Sequence, residues 1–227
     1  MLNKGTYLGP FEAFSELELK DEFAKFGTLI DFSKKENPFD SVEFQSWFFI
    51  IVSGKIKVYE INFTTNREQT LYLMVRGDMI DVVTLLDNKP HDLAVDILES
   101  GKAIRFPINK VREWMRKHPA FEQLIYKYIA TQIRSLENLA IDLSLYDTKE
   151  RLLKLLIKNI ETLEKKGVDL LSKLSHSEIA TLIGTVRHII DRHIKELKRD
   201  GILEDKKRSL ELKNAKKVLE MLNSFQN

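Results

Sequence analysis

The stretch that most constrains the fold of this chain is residues 174–203, LSHSEIATLIGTVRHIIDRHIKELKRDGIL. Ser175 and Glu178 have the serine-x-x-glutamate spacing of a capping box, in which two side chains satisfy free amides at a helix start. Gly184 can adopt the positive φ angle that ends one helix and turns the chain into the next. The pattern predicts a helix-turn-helix, which presents its second helix to the major groove of DNA. The side chains predicted to face inward, at helical spacing, are Ile179, Leu182, Ile183, Val186, Ile189, Ile190, Ile194 and Leu197.

The outward face of the second predicted helix has the chemistry for binding DNA. Arg187 lies in its first turn, where base contacts are usually made. An arginine side chain can donate two hydrogen bonds to the O6 and N7 atoms of guanine. The alternative is a solvated helix face in an all-helical domain. The predicted DNA-binding surface comprises Ser175, Ser177, Arg187, His188, Asp191, Arg192 and Lys195.

A wing is predicted after the second helix. Residues 202–204 and 209–212 have the texture of two short strands, and a basic turn joins them. Lys206, Lys207 and Arg208 at the tip are placed to contact phosphates, although a charged tip is also common on loops that are merely solvated.

These residues resemble the DNA-binding end of the cyclic-AMP receptor protein and fumarate-nitrate regulator (Crp/Fnr) superfamily of bacterial transcription factors. The family pattern is E-[IL]-A, an apolar pair, a glycine, two residues and then R-E-[TS]-V-x-R. His188 stands where the family usually has a glutamate that accepts a hydrogen bond from cytosine, and Val186, Ile189 and Asp191 also depart from the pattern. The resemblance implies promoter DNA and RNA polymerase as partners, with a half-site unlike the family's common ones. The matching positions are Glu178, Ile179, Ala180, Gly184, Arg187 and Arg192.

Short β-branched and aromatic runs, separated by turn residues, occupy residues 28–107 and predict a compact all-β roll or barrel. Ser53-Gly54 is predicted to form a tight hairpin. The stretch FFIIVSGKIKVYEI and the later Gly77-Asp78 are similar to the sensor roll of the same superfamily. The resemblance implies a cyclic-nucleotide-binding-like β-roll. The predicted strands are residues 28–33, 47–53, 55–61, 70–74, 94–98 and 102–107.

The segment after Gly77-Asp78 lacks the family's nucleotide-binding residues. Members that bind cyclic nucleotides have there a glycine-glutamate-leucine segment and then an arginine, which bind the ribose and the phosphate. This chain instead has Asp81, His91 and Asp92, and a carboxylate would repel a phosphate. We therefore expect that cyclic AMP is not the effector, and assign these three residues to an effector site. Three alternatives are left open: a haem-dependent regulator of the same architecture that senses redox state or a gas (NO or CO) with His91 as haem ligand, a small apolar effector, and no effector at all.

A long amphipathic helix is predicted between the roll and the helix-turn-helix. After His118-Pro119, apolar residues recur at steps of three and four. The stripe could simply pack against the chain's own roll, but a helix in this place resembles the family's dimer helix. A homodimer would place two recognition helices in successive major grooves. The predicted interface comprises Ile125, Ile129, Ile133, Leu136, Ala140 and Leu143.

Composition excludes several classes of protein. Without cysteine, the chain cannot form disulfides or a cysteine-ligated iron–sulfur cluster. No apolar run approaches the roughly 20 residues of a membrane span, which predicts a cytoplasmic protein with no membrane partner. The net charge of +2 divides into −3 for residues 1–146 and +5 for residues 147–227, so the basic half coincides with the helix-turn-helix. Without a P-loop, G-x-S-x-G or H-E-x-x-H motif, no enzyme activity is expected.

The predicted fold class is α+β, in three parts. Residues 1–115 form the sensor β-roll, residues 116–146 the dimerisation helix, and residues 147–227 the winged helix-turn-helix. A helix over residues 11–26 is predicted to pack on the roll through Phe11, Phe14, Leu17, Leu19 and Phe23. The sequence leaves the effector, the operator, the target genes and the choice between activation and repression open.

Overall fold

The computed structural model describes residues 19–206 and 209–224, and the chain divides into two compact units. The first contains Tyr59 and the described residues before it, together with Tyr72–Ser135. The second contains Glu60–Leu71 and the described residues from Leu136 onward. The fold is α+β, with an antiparallel roll, a long helix and a C-terminal winged helix-turn-helix, so the predicted fold class is confirmed.

The first unit is built on an antiparallel sheet. Its helices are α1 (Lys20–Phe26), α2 (Ser41–Ser46), α3 (Val82–Asp87), α4 (Ile108–Lys117) and α5 (Pro119–Leu145). Its strands are β1 (Thr28–Phe32), β2 (Trp47–Asn62), β3 (Arg67–Met74), β4 (Met79–Ile80) and β5 (Ala94–Pro107). The strand order is β1-β5-β2-β3, with β4 paired to β2. Strands β2 and β3 and helix α5 continue past the boundary of the unit.

Two glycines lie within long strands, each of which the sequence analysis predicted as two shorter strands. The predicted hairpin at Ser53-Gly54 is wrong, because β2 runs unbroken through these residues. The strands predicted on either side of Gly101 likewise form one strand, β5. Gly54 has a φ of +94°, and the pairing of β2 with β5 shifts register beside it, which indicates a bulge. A Cβ atom on Gly101 would lie 2.0 Å from the carbonyl oxygen of Ser53, so the two glycines allow a close approach of backbones.

Aromatic side chains fill the core of the first unit. The rings of Phe23 in α1 and Trp114 in α4 stack with centroids 4.8 Å apart. Leu19 and Phe23 are buried as predicted. The rest of the predicted N-terminal helix, including Phe11, Phe14 and Leu17, lies outside the described residues.

Tyr128 fixes the first part of α5 to the sheet. Its hydroxyl donates to the carbonyl oxygen of Met79 and accepts from the backbone N–H of the same residue, each at 3.0 Å. Burial raises the pKa of Tyr128 well above its ordinary value, so the hydroxyl keeps the proton that it donates. Met79 begins β4, and α5 is therefore held directly against the strand that precedes α3.

The second unit contains the winged helix-turn-helix. Its elements are α6 (Thr148–Lys166), α7 (His176–Leu182), α8 (Arg187–Arg199), β6 (Leu203–Lys206), β7 (Ser209–Leu212) and α9 (Ala215–Ser224). Helix α6 begins with a capping box formed by Asp147 and Glu150 and ends at Gly167, whose φ is +66°. Strands β6 and β7 pair antiparallel. The buried core unites Leu152, Leu153, Leu156, Leu171, Ile179, Ala180, Ile183, Ile190, Ile194, Leu197, Ile202, Leu203, Leu210 and Val218.

None of the helices within residues 19–206 and 209–224 is both long enough and apolar enough to cross a membrane.

Candidate DNA-binding surface

The first helix of the helix-turn-helix begins with the predicted capping box, and the turn to the second helix is at Gly184. The hydroxyl of Ser175 accepts from the backbone N–H of Glu178 at 3.2 Å, and the carboxylate of Glu178 accepts from the N–H of Ser175 at 2.5 Å. Gly184 has a φ of +65°, where a side chain would be strained. The chain then enters α8, which packs on α7 through Ile190 and Ile179. We call α8 the recognition helix.

The recognition helix exposes a basic face. Arg187, His188, Asp191, Arg192 and Lys195 are all exposed, as predicted. The first turn of the helix carries no acidic residue and begins with Arg187 and His188. Positive charge at a helix N-terminus opposes the helix dipole, so these residues do not serve the stability of the helix.

Val186 does not face inward, which corrects the sequence prediction. It is the N-cap residue of α8, with an extended backbone, and is 45% exposed. Because it precedes the first helical residue, its side chain does not follow the helical period. His193, which the sequence analysis did not assign to the inward face, is buried and only 5% exposed.

His193 joins the recognition helix to the start of α6. Its Nε2 atom lies 2.8 Å from the hydroxyl oxygen of Thr148. Its Nδ1 atom has no hydrogen-bond partner and lies 3.7 Å from the carboxylate of Glu196. Desolvation, together with the charge of Arg192, lowers the pKa of His193 and favours the neutral ring. No local pattern in the sequence indicates this bond, because 45 residues separate its partners.

His176 is a second residue that the sequence analysis did not place on this surface. It is the first residue of α7, and its Nδ1 atom lies 2.5 Å from Oδ1 of Asp191. The other oxygen of Asp191 lies 3.6 Å from Nε of Arg187. The hydrogen bond from His176 is the largest cause of a lowered pKa of Asp191, so this carboxylate is held in its ionised form.

The wing is only partly described. Leu203 pairs with Leu212, and Lys206 pairs with Ser209 at the outer end of the hairpin. Lys207 and Arg208, which we predict to contact phosphates, lie outside the described residues.

The apolar stripe on α5 changes its environment along the helix. Ile125 is fully buried in the core of the first unit, and Ile129 packs against that core. Ile133 is 52% exposed, and the stripe stays exposed at Leu136, Ala140 and Leu143. The first part of the stripe therefore completes the core of the first unit, while the later part leaves apolar side chains exposed to differing degrees on the surface of the helix.

Two of the three predicted effector residues meet. Nδ1 of His91 lies 2.8 Å from Oδ1 of Asp81, which is the N-cap of α3 and has a φ of +52°. The other carboxylate oxygen of Asp81 is buried without a hydrogen-bond partner. Asp92 is exposed, and the structure does not bring it into this pair. Within the described residues, no group of three or more histidine, aspartate and glutamate side chains could hold a metal ion.

Comparison with known proteins finds regulators of transcription. Residues 150–221 match a family model described as a Crp-like helix-turn-helix domain. A CRP-like cAMP-activated global transcriptional regulator of Mycobacterium tuberculosis is 23% identical over 175 residues, which are 76% of this chain and 78% of that protein.

Two solved structures have a similar fold. FixK2 from Bradyrhizobium japonicum has a TM-score of 0.73 and 18% identity, covering 86% of this chain and 96% of that one. A CooA mutant from Carboxydothermus hydrogenoformans has a TM-score of 0.73 and 21% identity, covering 94% and 95% of the two chains.

Proposed function

Because this chain belongs to the Crp/Fnr superfamily of transcription regulators, we propose that it is a homodimer that recognises a promoter sequence through α8. The observation that carries the proposal is the recognition helix itself. Its buried side is fixed in the core by Ile190, Ile194 and Leu197, and its free side carries Arg187 and Arg192. A rigid helix with exposed arginines is what base reading in the major groove requires.

The residues of this surface take different roles. Arg187 contacts guanine, whereas Ser175, Ser177 and Lys195 contact the phosphate backbone and fix the register of the helix. Lys206, Lys207 and Arg208 of the wing add further phosphate contacts. His188 replaces the glutamate that is usual in the family, so the half-site differs from the family's common half-sites.

Dimerisation uses the exposed part of the α5 stripe. Ile133, Leu136, Ala140 and Leu143 lie on the part of α5 that is not absorbed into the core of the roll. Pairing this stripe with the same stripe of a second copy buries apolar surface, and each Å² buried contributes about 25 cal/mol to the free energy of association. Ile125 and Ile129 support the interface from within each subunit. The homodimer acts in the cytoplasm together with RNA polymerase.

The sensor roll does not bind cyclic AMP. The ionisable Asp81 caps α3 in the region where nucleotide-binding members hold the phosphate, and its carboxylate repels an anion. A haem-dependent regulator is the second candidate. Asp81 occupies Nδ1 of His91 and leaves Nε2 as the nitrogen that could ligate iron, an arrangement common among metal-binding histidines. A visible spectrum after reconstitution with haem, compared between the wild type and His91→Ala, distinguishes the two candidates.

The DNA-binding proposal is tested by selecting duplexes from a random pool with the full-length protein. We expect log affinity to fall linearly with log salt, because bound phosphates release counterions. Arg187→Ala should cost about 1–3 kcal/mol on the selected duplex and much less on a scrambled one. Lys165→Ala, on the exposed face of α6, is the matched control and should change neither affinity. Equal losses on both duplexes with Arg187→Ala contradict base reading.

The dimer proposal is tested by sedimentation of the full-length chain. Leu136→Asp places a charge in the exposed stripe and should shift the protein toward monomer. Leu163→Asp is the control, because Leu163 on α6 is also exposed, at 48%, but lies outside the stripe. A wild type that sediments as a monomer at working concentration refutes the interface.

A further inference from the structure

Three polar side chains from both helices of the helix-turn-helix meet on its outer surface. His176 begins α7, Arg187 begins α8, and Asp191 lies one turn further along α8. One carboxylate oxygen of Asp191 bonds to the ring of His176, and the other faces Nε of Arg187. We call these three residues the cross-helix cluster.

Stability does not account for the placement of Arg187 beside Asp191. Arg187 and Asp191 are 71% and 45% exposed, and exposed ion pairs contribute about 0–1 kcal/mol. Their order, with the cation nearer the N-terminus, is the less favourable one on a helix. At 3.6 Å, the arginine nitrogen is also beyond normal hydrogen-bond distance from the carboxylate.

The geometry suits a role in reading DNA instead. A carboxylate that faces Nε of an arginine leaves the two terminal nitrogens of the guanidinium free. Those two nitrogens form the edge that can donate to O6 and N7 of one guanine. In water the carboxylate of Asp191 holds Arg187 only weakly, but removal of water at a DNA interface strengthens the attraction.

The bond from His176 explains how a carboxylate is tolerated on this face. An unrestrained Asp191 would rotate freely and oppose the phosphates of DNA. His176 holds one of its oxygens from the neighbouring helix, which fixes the side chain on the side of Arg187. The competing role for Asp191 is direct acceptance of a hydrogen bond from the amino group of cytosine. Each carboxylate oxygen can accept two hydrogen bonds, so the experiment below is designed to distinguish the two roles.

We infer that Asp191 orients Arg187 for a two-bond contact with guanine and that His176 holds Asp191 in the orienting position. The inference rests on the proposed function, since it needs α8 in the major groove. Arg187 is the residue that touches the base, and Asp191 and His176 are positioning residues.

The test replaces single guanines in the selected duplex with 7-deazaguanine, which lacks the N7 acceptor. The guanine bound by Arg187 is the one at which this replacement weakens the full-length wild type but not Arg187→Ala. The expected wild-type penalty is about 3- to 10-fold, the loss of one bond from a pair that discriminates by 1–3 kcal/mol in total.

The variants of the cross-helix cluster are then compared by this penalty. Asp191→Ala and His176→Ala should reduce it to less than about twofold, because Arg187 is no longer oriented. His176→Asn should retain it, since the asparagine amide can donate from the position of Nδ1. Lys195→Ala is the control, and should weaken all duplexes alike while leaving the penalty unchanged.

The possible results are distinct. An unchanged penalty in Asp191→Ala and His176→Ala overturns the inference, and so does a failure of Arg187→Ala to abolish the penalty at any guanine. If Asp191→Asn changes the preference only at a cytosine, Asp191 reads that base directly and the inference is wrong. A wild type that selects no duplex refutes the proposed function itself. Amide exchange over residues 190–197 verifies that each variant retains its recognition helix.

Discussion

Replacement of Thr148 by valine tests the bond that joins the recognition helix to the start of α6. The hydroxyl of Thr148 lies 2.8 Å from Nε2 of His193, which is buried. Glu196 faces the other ring nitrogen, so the tautomer with the proton on Nδ1 is favoured, and Thr148 donates to Nε2. Valine has the shape of threonine but cannot donate, so the substitution removes one hydrogen bond and little else.

The expected loss follows from the burial of the ring. A hydrogen bond contributes about 0.5–1.5 kcal/mol, but a buried acceptor left without a partner costs about 1–3 kcal/mol. Thr148→Val should therefore lower the stability of the second unit by about 1–3 kcal/mol. His193→Phe removes the other partner. The double variant should lose less than the two single losses added together, because neither polar group is then left unpaired.

Amide hydrogen exchange of the full-length protein measures this loss. The chain has two tryptophans, Trp47 and Trp114, and both lie in the first unit. Tryptophan fluorescence therefore does not report on unfolding of the second unit. Exchange at the buried amides of α6 and α8 should accelerate roughly 5- to 150-fold in Thr148→Val. Strict additivity of the two substitutions, or unchanged exchange in Thr148→Val, refutes the bond as a stabilising contact.

The burial of His193 also gives the second unit a pH dependence. Burial lowers the pKa of His193, so the folded state favours the neutral ring. The unfolded state takes up a proton as the pH falls through about 6.5, while the folded state resists it. Stability should therefore decline from about pH 6.5 downward in the wild type, and this part of the decline should be absent in His193→Phe. Identical pH profiles for the two proteins contradict the assignment.

Two predictions concern the first unit, where tryptophan fluorescence during urea unfolding is the measurement. Gly101→Ala should destabilise the roll by several kcal/mol, because its Cβ would lie 2.0 Å from the backbone oxygen of Ser53. Gly167→Ala, in the second unit with open space around it, should leave this signal unchanged, and a similar shift in both would exclude the close approach as the cause. Tyr128→Phe should cost about 1–3 kcal/mol, because the buried backbone of Met79 loses its partner. An unfolding midpoint equal to that of the wild type would show that water replaces the hydroxyl.

Local features of the sequence determine much of the candidate surface. The capping box of Ser175 and Glu178, the turn at Gly184 and the exposed position of Arg187 all depend on residues within a few positions of one another. A helix cap and a helical period are short-range properties, so the sequence contains all the information that they need. The same local patterns mark the start of α6 at Asp147 and its end at Gly167.

A local sequence pattern can predict the wrong structure when two different structures are compatible with the same pattern. Ser53-Gly54 reads as a hairpin because glycine permits a tight turn, but the same freedom permits a bulge in a continuous strand. Pairing with β5 decides between them, and Gly101 on that strand supplies the space for the close approach. The helical spacing likewise places Val186 among the inward-facing residues. In the structure α8 begins only at Arg187, so Val186 lies before the helix and does not belong to its inward face.

The sequence by itself determined the class of fold, the helix-turn-helix and the absence of any cysteine chemistry, because these depend on periodicity, caps and composition. Only the tertiary structure decided which polar side chains meet. His176 and Asp191 are 15 residues apart, and Thr148 and His193 are 45 apart. Such pairs arise when packed apolar faces fix the positions of two helices, and no short-range rule links their partners along the chain.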